Sequence, residues 1–131
     1  MARTNRSARN AGTTFERIMA DYLSSALGDS EIDRQVKMGS RDVGDIRGVF
    51  LHGKRVTIEC KEYGGRHRLP EWLEEAETEC GNADSEYAVV IWKRRGTKSP
   101  AEQYVTMTAE TFAAMCCGGH ELMFGEEDGE R

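Results

Sequence analysis

The 131-residue sequence lacks any apolar run near the roughly 20 residues that a membrane-spanning helix requires. Its polar, arginine-containing N-terminus has no apolar segment of the kind found in signal peptides. The sequence also has no Cys-x-x-Cys pair and no complete Gly-x-x-x-x-Gly-Lys-Ser/Thr phosphate-binding loop, which argues against a zinc cluster and against nucleotide hydrolysis. We therefore expect a cytoplasmic protein with no membrane partner, whose four cysteines are reduced and mostly buried.

Charge is unevenly divided along the chain, although the overall balance is only −5. Residues 1–68 contain 13 Lys and Arg against 9 Asp and Glu, whereas residues 69–131 contain 5 against 14. A protein that simply coats DNA would be basic throughout. The distribution therefore excludes a histone-like role and indicates that a nucleic-acid partner would be met on one basic face.

Length and local composition predict one domain with two polar extensions. Residues 13–117 are expected to form a single α/β domain. Residues 1–12 contain three arginines and no acid, which is typical of a flexible basic arm. Residues 118–131 are rich in glycine and acids, and are predicted to be a mobile acidic tail.

Hydrophobic spacing predicts the order of elements within the domain. A capping box formed by Thr13 and Glu16 opens a predicted helix over 13–27. Further helices are expected from Pro70 to residue 80 and from Thr108 through residue 116. Strands are predicted over 32–36, 46–51, 55–61, 87–92 and 103–107. This order predicts an α/β sandwich with a mixed central sheet flanked by helices.

Two of the predicted strands bring together residues that can hold a metal ion. Asp45 begins one strand and Glu59 lies near the end of the next, so a hairpin places their carboxylates at one end of the sheet. Glu59 and Lys61 are two residues apart and face the same way, whereas the Cys60 side chain faces the opposite side. The two carboxylates and the Cys60 backbone carbonyl are hard oxygen ligands suited to Mg²⁺ or Mn²⁺. Lys61 is then placed to orient or deprotonate a water that attacks phosphorus.

Asp45 together with Glu59-Cys60-Lys61 resembles the core of the PD-(D/E)XK nucleases, with Gly44 in place of their usual proline. The segments Gly12–Arg17, Gly39–Asp42, Gly44–Ile46 and Ile58–Lys61 are similar to the archaeal-type Holliday junction resolvases, and the resemblance covers about residues 12–92. It implies a restriction-endonuclease-like three-layer sandwich and a Mg²⁺-dependent homodimer that cuts four-way DNA junctions by paired nicks. Compact nucleases of this kind also occur in bacteriophages, which would place the protein in the host cytoplasm.

The resemblance also implies roles for individual residues. Glu16, Asp45, Glu59 and Lys61 correspond to catalytic residues, the three acids and the Cys60 carbonyl correspond to metal ligands, and Ser40 corresponds to a loop serine near the site. Long cations in the N-terminal segment and the loops are candidates for phosphate contacts. The complete set of predicted DNA-binding residues is Arg3, Arg6, Arg9, Ser40, Arg41, Arg66, His67, Arg68, Lys93, Arg94 and Arg95.

The sequence is compatible with several alternatives. Glu16 is either a metal ligand or only the capping residue of its helix. Asp42 could substitute as a ligand, but a loop acid at this position is typical of a turn, and we leave it out of the predicted site. The DNA target could be a flap, a nick or a specific sequence. A DNA-binding module of the same fold without catalysis and an RNA-processing enzyme are the remaining alternatives.

Overall fold

The computed structural model describes residues 3–37 and 39–125, which fold as a mixed six-stranded sheet with three α-helices. The helices are α1 (Asn5–Leu27), α2 (Leu69–Asn82) and α3 (Ala109–Cys117). The strands are β1 (Asp33–Arg34), β2 (Ile46–Arg47), β3 (Phe50–Leu51), β4 (Lys54–Lys61), β5 (Tyr87–Trp92) and β6 (Tyr104–Thr106). The prediction of an α/β fold with a mixed sheet is confirmed.

The sheet is built around β4 and β5, in the order β1-β2-β4-β5-β6, with β3 also paired to β4. β4 and β5 run parallel from Val56 opposite Tyr87 to Lys61 opposite Trp92. The other pairings are antiparallel. Every residue of β5 is buried, as predicted from its continuous apolar run. α2 supplies the crossover connection that two parallel strands require.

Alternate residues of β5 divide between two apolar clusters on opposite faces of the sheet. One cluster contains Val89 and Ile91 with Phe15 and Met19 of α1, and α3 joins it through Ala114. The other contains Val90 and Trp92 with Trp72 and Ala76 of α2. Helices therefore cover both faces, an arrangement compatible with a three-layer sandwich.

α1 begins at Asn5 rather than at Thr13, which corrects the predicted start of the helix. The Thr4 side chain caps it by accepting a hydrogen bond from the Ser7 N–H at 3.0 Å. Thr13 lies in the interior of the helix, so residues 5–12 are helical and do not form an unstructured arm. A helix already anchored by Phe15 gains one hydrogen bond for each residue added, which favours its extension back to the next good cap.

The predicted strand over 46–51 is divided in two at Gly48. Gly48 has φ +89°, and a Cβ at this position would lie 2.7 Å from the carbonyl oxygen of Glu31. The chain of residues 31 and 32 therefore passes directly against the Gly48 backbone, and only glycine fits there. The predicted strand over 32–36 is likewise shorter and comprises only β1.

The segment after α3 is held against the starts of β4 and β5. Gly118 ends the helix in a left-handed conformation, and residues His120–Leu122 form a short 3₁₀ turn. The His120 N–H donates to Glu86, and the Lys54 ammonium lies 2.7 Å from a Glu121 oxygen. The prediction of a mobile tail from residue 118 is therefore wrong for residues 118–122, and its last part, 126–131, lies outside the described residues.

The cysteines are divided between the core and the surface. Cys60 and Cys80 are buried, whereas Cys116 and Cys117 at the end of α3 are exposed, so the expectation of mostly buried thiols holds for half of them. In the part of the chain that the structure describes, no helix is long and apolar enough to cross a membrane.

Candidate metal centre

Asp45 is fixed beside β4 by its own backbone and by its side chain. Its N–H donates to the Ile58 carbonyl at 2.7 Å, and its Oδ2 accepts a hydrogen bond from the Cys60 N–H at 2.8 Å. The backbone contact continues the antiparallel pairing of β2 with β4, and the side-chain contact adds a second link to β4. The structure thus places Asp45 next to Glu59, as the hairpin prediction requires.

The residue before Asp45 is Gly44, and its backbone conformation is one that proline cannot adopt. Its φ is +99°, whereas the proline ring holds φ near −65°. A Cβ at this position would lie 3.1 Å from both the Ile58 carbonyl oxygen and the Thr57 Cγ2. Glycine therefore permits the close approach to β4 that positions Asp45.

Glu59 points from β4 toward α2 and is buried against Glu79. Both residues are only 6% exposed, and in the described part of the chain the Oε2 atom of each has no hydrogen-bond partner. Burial, together with the nearby Glu79 charge, raises the pKa of Glu59 to about 8. Burial followed by the neighbouring Asp42 raises the pKa of Glu79 to about 7. Two buried carboxyls with open oxygens face each other here.

Asp42 joins this group, although the sequence favours a turn role for it. Its Oδ1 accepts from the Gly44 N–H at 3.0 Å, which is the predicted turn role. Its backbone carbonyl accepts from the Asn82 side chain at the end of α2. Carboxyl oxygens of Asp42, Glu59 and Glu79 all lie within 4.8 Å of one another. The turn thus also places an acid at the site.

Glu79 is the site residue that sequence reasoning missed. It lies three residues after the buried Ala76 and seven after the buried Trp72, on the side of α2 that faces the sheet. An acid within the apolar face of an amphipathic helix is unusual, because a buried carboxyl needs a partner. That placement is the signal that could have identified it.

Lys61 stands at the end of β4 between two acids. Its ammonium is 2.6 Å from a Glu75 oxygen and 4.0 Å from a Glu59 oxygen. Burial by itself lowers the pKa of Lys61, but the hydrogen bond with Glu75 and the charge of Glu59 outweigh it and raise the pKa overall. Lys61 is therefore a protonated, hydrogen-bond-donating group at neutral pH.

Glu16 is not one of the three acids gathered around Glu59. It projects from the middle of α1, where it does not cap the helix, and its Oε1 accepts from the Arg34 guanidinium at 3.2 Å. Burial and the nearby Asp45 raise the pKa of Glu16. Glu16 thus approaches Asp45 from the α1 side, while Arg34 already neutralises it.

Asp45, like Glu59, has a strongly raised pKa. Burial, a hydrogen bond shared with Glu59 and the charge of Glu59 raise its pKa to about 8. In the metal-free protein, protons therefore occupy carboxyl oxygens that a divalent cation could bind instead. The donor set of hard carboxylate oxygens, two of them buried and unpartnered, fits Mg²⁺ or Mn²⁺. A role for the Cys60 carbonyl stays a prediction.

The loops that carry many of the predicted DNA-binding residues meet at the end of the sheet where β4 and β5 finish. The loop after β4 contacts the loop after β5 at Gly65 and Arg95, and Arg3 reaches the same end through a salt bridge to Glu62. Exposed residues of this predicted set are Arg3, Arg6, Arg9, Ser40, Arg41, Arg66, His67, Arg68 and Arg95. Lys61 also lies at this end of the sheet.

Two members of the predicted set have local structural roles. The Lys93 ammonium donates to the backbone carbonyls of Arg94 and Thr97 and so holds its own turn together. The Arg94 guanidinium lies 4.8 Å from the centre of the Tyr104 ring. These contacts leave Lys93 less suited to a phosphate than the exposed arginines.

Comparisons with known proteins add no relative. No family model matches the chain, and no curated protein or solved structure matches it significantly.

Proposed function

We propose that this protein is a divalent-cation-dependent DNA endonuclease with a restriction-endonuclease-like fold. The observation that carries the proposal is the buried Glu59 carboxylate, with one oxygen unpartnered and the other 4.0 Å from the Lys61 ammonium. Asp45 lies beside it, held by the Cys60 N–H. The carboxylates lie next to the Lys61 ammonium, and arginines lie at the same end of the sheet. This combination is suited to binding a DNA phosphodiester on the solvent side of the carboxylates.

The residues of the chain have distinct roles in the proposed reaction. Asp45 and Glu59 would hold Mg²⁺ or Mn²⁺, which supplies charge neutralisation at phosphorus and a more acidic bound water. Lys61, with its raised pKa, donates hydrogen bonds and aligns the attacking water or the phosphate, and is not suited to remove a proton. The exposed arginines around the site fix the DNA backbone. In-line attack would leave a 5′-phosphate and a 3′-hydroxyl.

The proposed substrate is branched DNA, with a four-way junction preferred and a homodimer as the active form. Support comes from the resemblance of the segments around Glu16, Ser40, Asp45 and Lys61 to the junction resolvases. A twofold dimer presents two sites at a fixed separation and direction, which suits paired nicks across a junction. Sedimentation of the full chain tests the dimer directly.

The test is cleavage of labelled four-way junction, flap, nicked duplex, linear duplex and single-stranded DNA, with Mg²⁺ or with EDTA. Asp45→Asn and Glu59→Gln should abolish Mg²⁺-dependent cutting yet keep DNA binding in a gel-shift assay, because the phosphate contacts remain. Lys61→Ala should also lose cutting. The matched control is Glu77→Gln, which removes an exposed acid of α2 and should cut normally.

Retention of wild-type cutting by Asp45→Asn or Glu59→Gln would refute the metal-site assignment. Equal cutting of junction and linear duplex by a monomer would remove the junction preference and leave a broader nuclease. Tight binding of every substrate without cutting in any metal would instead favour the non-catalytic DNA-binding module, and cutting confined to RNA substrates would favour the RNA-processing enzyme.

A further inference from the structure

Asp42, Glu59 and Glu79 are close enough for one cation to contact all three. One carboxyl oxygen from each lies within 4.8 Å of the other two. Divalent cations bind oxygen at about 2.0–2.6 Å, so oxygens with these separations can share one ion. Asp45 is not a member of this group, and its Oδ2 is turned to the Cys60 N–H.

In the described part of the chain, two buried oxygens of this group lack a hydrogen-bond donor, and a bound cation would compensate them. Glu79 is 6% exposed and its Oε2 has no hydrogen-bond partner in the described part of the chain, and the same is true of the Glu59 Oε2. Within the described ranges, Lys61 is the only basic side chain within 4.0 Å of any of these three carboxylates, and it contacts Glu59 alone among them. Burial of carboxylates in this state is unfavourable unless protons or a cation compensate them.

The Asp42 side of the group opens to solvent through a cleft along α2. The cleft has a volume of about 490 Å³. Its lining includes Asp42, Thr78, Glu79 and Asn82, and among the described residues that line it four are glutamates and none is basic. Such a lining attracts cations and repels phosphate groups. A hydrated metal ion can therefore reach Glu79 through this cleft, which adjoins the loop of Arg66 and Arg68 at Glu71 and Glu75.

We propose that Asp42 and Glu79, sharing Glu59, hold a second divalent cation beside the one assigned to Asp45 and Glu59. The inference rests on the proposed function only for the identity of the first site. Two cations joined by Glu59 would place positive charge on both sides of this carboxylate.

The direct test is titration of the full chain with Mn²⁺, in which free Mn²⁺ is followed by electron paramagnetic resonance without any DNA. The wild-type chain should bind two Mn²⁺. Glu79→Gln and Asp42→Asn should each bind one, or bind the second at least tenfold more weakly, because each removes a ligand charge. Asp42→Asn keeps an oxygen that can accept from the Gly44 N–H and so preserves the turn. Glu77→Gln should still bind two.

A wild-type stoichiometry of one Mn²⁺ would overturn the second site, as would two Mn²⁺ at unchanged affinity in a folded Glu79→Gln variant. Thermal midpoints measured by circular dichroism establish that each variant is folded, and Asp42→Asn decides the question if Glu79→Gln is not. Glu79-dependent Mn²⁺ binding with no cutting of any nucleic acid would refute the proposed function and keep the cation site. Loss of cutting in Asp45→Asn would instead support the proposed function. If Mn²⁺ binding were then insensitive to Glu79→Gln, the second cation site would be refuted.

Discussion

Raising the pH in the absence of metal should destabilise this protein, which is the opposite of what ordinary paired carboxylates produce. Asp45 and Glu59 have folded-state pKa values of about 8, and Glu79 has one of about 7, with burial as the largest cause for each. Their ordinary values are near 4. At pH values between the unfolded-state and folded-state pKa values, the folded state retains protons that the unfolded state has already released. The free energy of unfolding therefore falls as the pH rises through this window.

The size of the effect follows from the number of protons held. If the three carboxyls together retain only one proton, the free energy of unfolding falls by about 1.4 kcal/mol per pH unit. Between pH 5 and pH 7 the free energy of unfolding should then fall by about 3 kcal/mol, a large part of the roughly 5–15 kcal/mol typical of a domain. More than one retained proton would make the fall steeper.

Urea unfolding at pH 5, 6 and 7 in EDTA measures this slope. Glu79→Gln is the informative variant, because a neutral amide removes one of the coupled charges and should make the slope shallower. Mg²⁺ should then raise the stability of the wild-type protein more at pH 7 than at pH 5, since it competes with protons for the same oxygens. A free energy of unfolding that is constant or rises from pH 5 to 7 in EDTA would refute the reasoning.

Three further outcomes test other parts of the structure. Thr4→Ala should cost about 1 kcal/mol of stability through loss of the α1 cap, whereas Thr13→Ala should be neutral or slightly stabilising in the exposed helix interior; chemical denaturation compares them. Gly48→Ala should destabilise by about 2 kcal/mol in the same assay, because φ is +89° and the new Cβ meets a backbone carbonyl. Replacement of Arg66 and Arg68 by alanine should make DNA binding less dependent on salt. The slope of the log of the binding constant for duplex DNA against log salt should become shallower by about 0.9 for each phosphate that is no longer neutralised. An unchanged slope would show that both arginines contact only solvent.

Regular patterns within single elements were predictable from the sequence. The apolar run of β5 indicates a strand buried on both faces, and the two-residue alternation of Glu59 and Lys61 places both on one side of β4. These inferences need only the local period of the chain. The position of Asp45 near Glu59 was predictable in the same way, because a hairpin fixes which residues of neighbouring strands lie opposite each other.

The parts that were missed depend on contacts between distant segments. Thr4 and Thr13 both have the chemistry of a cap, and the choice between them depends on how far α1 extends from its anchored face. The sequence marks Glu79 only as an acid on the apolar face of α2, and its neighbour Glu59 is set by the packing of α2 across β4. The division of the strand at Gly48 results from the approach of Glu31, which local propensity does not encode.

The contacts of the segment after α3 indicate where a tether can be attached when the protein is immobilised for an assay. Glu121 and His120 are tied to Lys54 and Glu86, at the starts of β4 and β5, whereas Lys61 ends β4. Seven residue steps of extended chain separate Lys54 from Lys61, which is roughly 23 Å at about 3.3 Å per residue. A tether joined on the C-terminal side of the 3₁₀ turn would therefore emerge at the far edge from the carboxylates. A tether joined ahead of Arg3 would emerge beside Glu62, at the end of the sheet where Lys61 lies, so immobilised assays should use the C-terminal side.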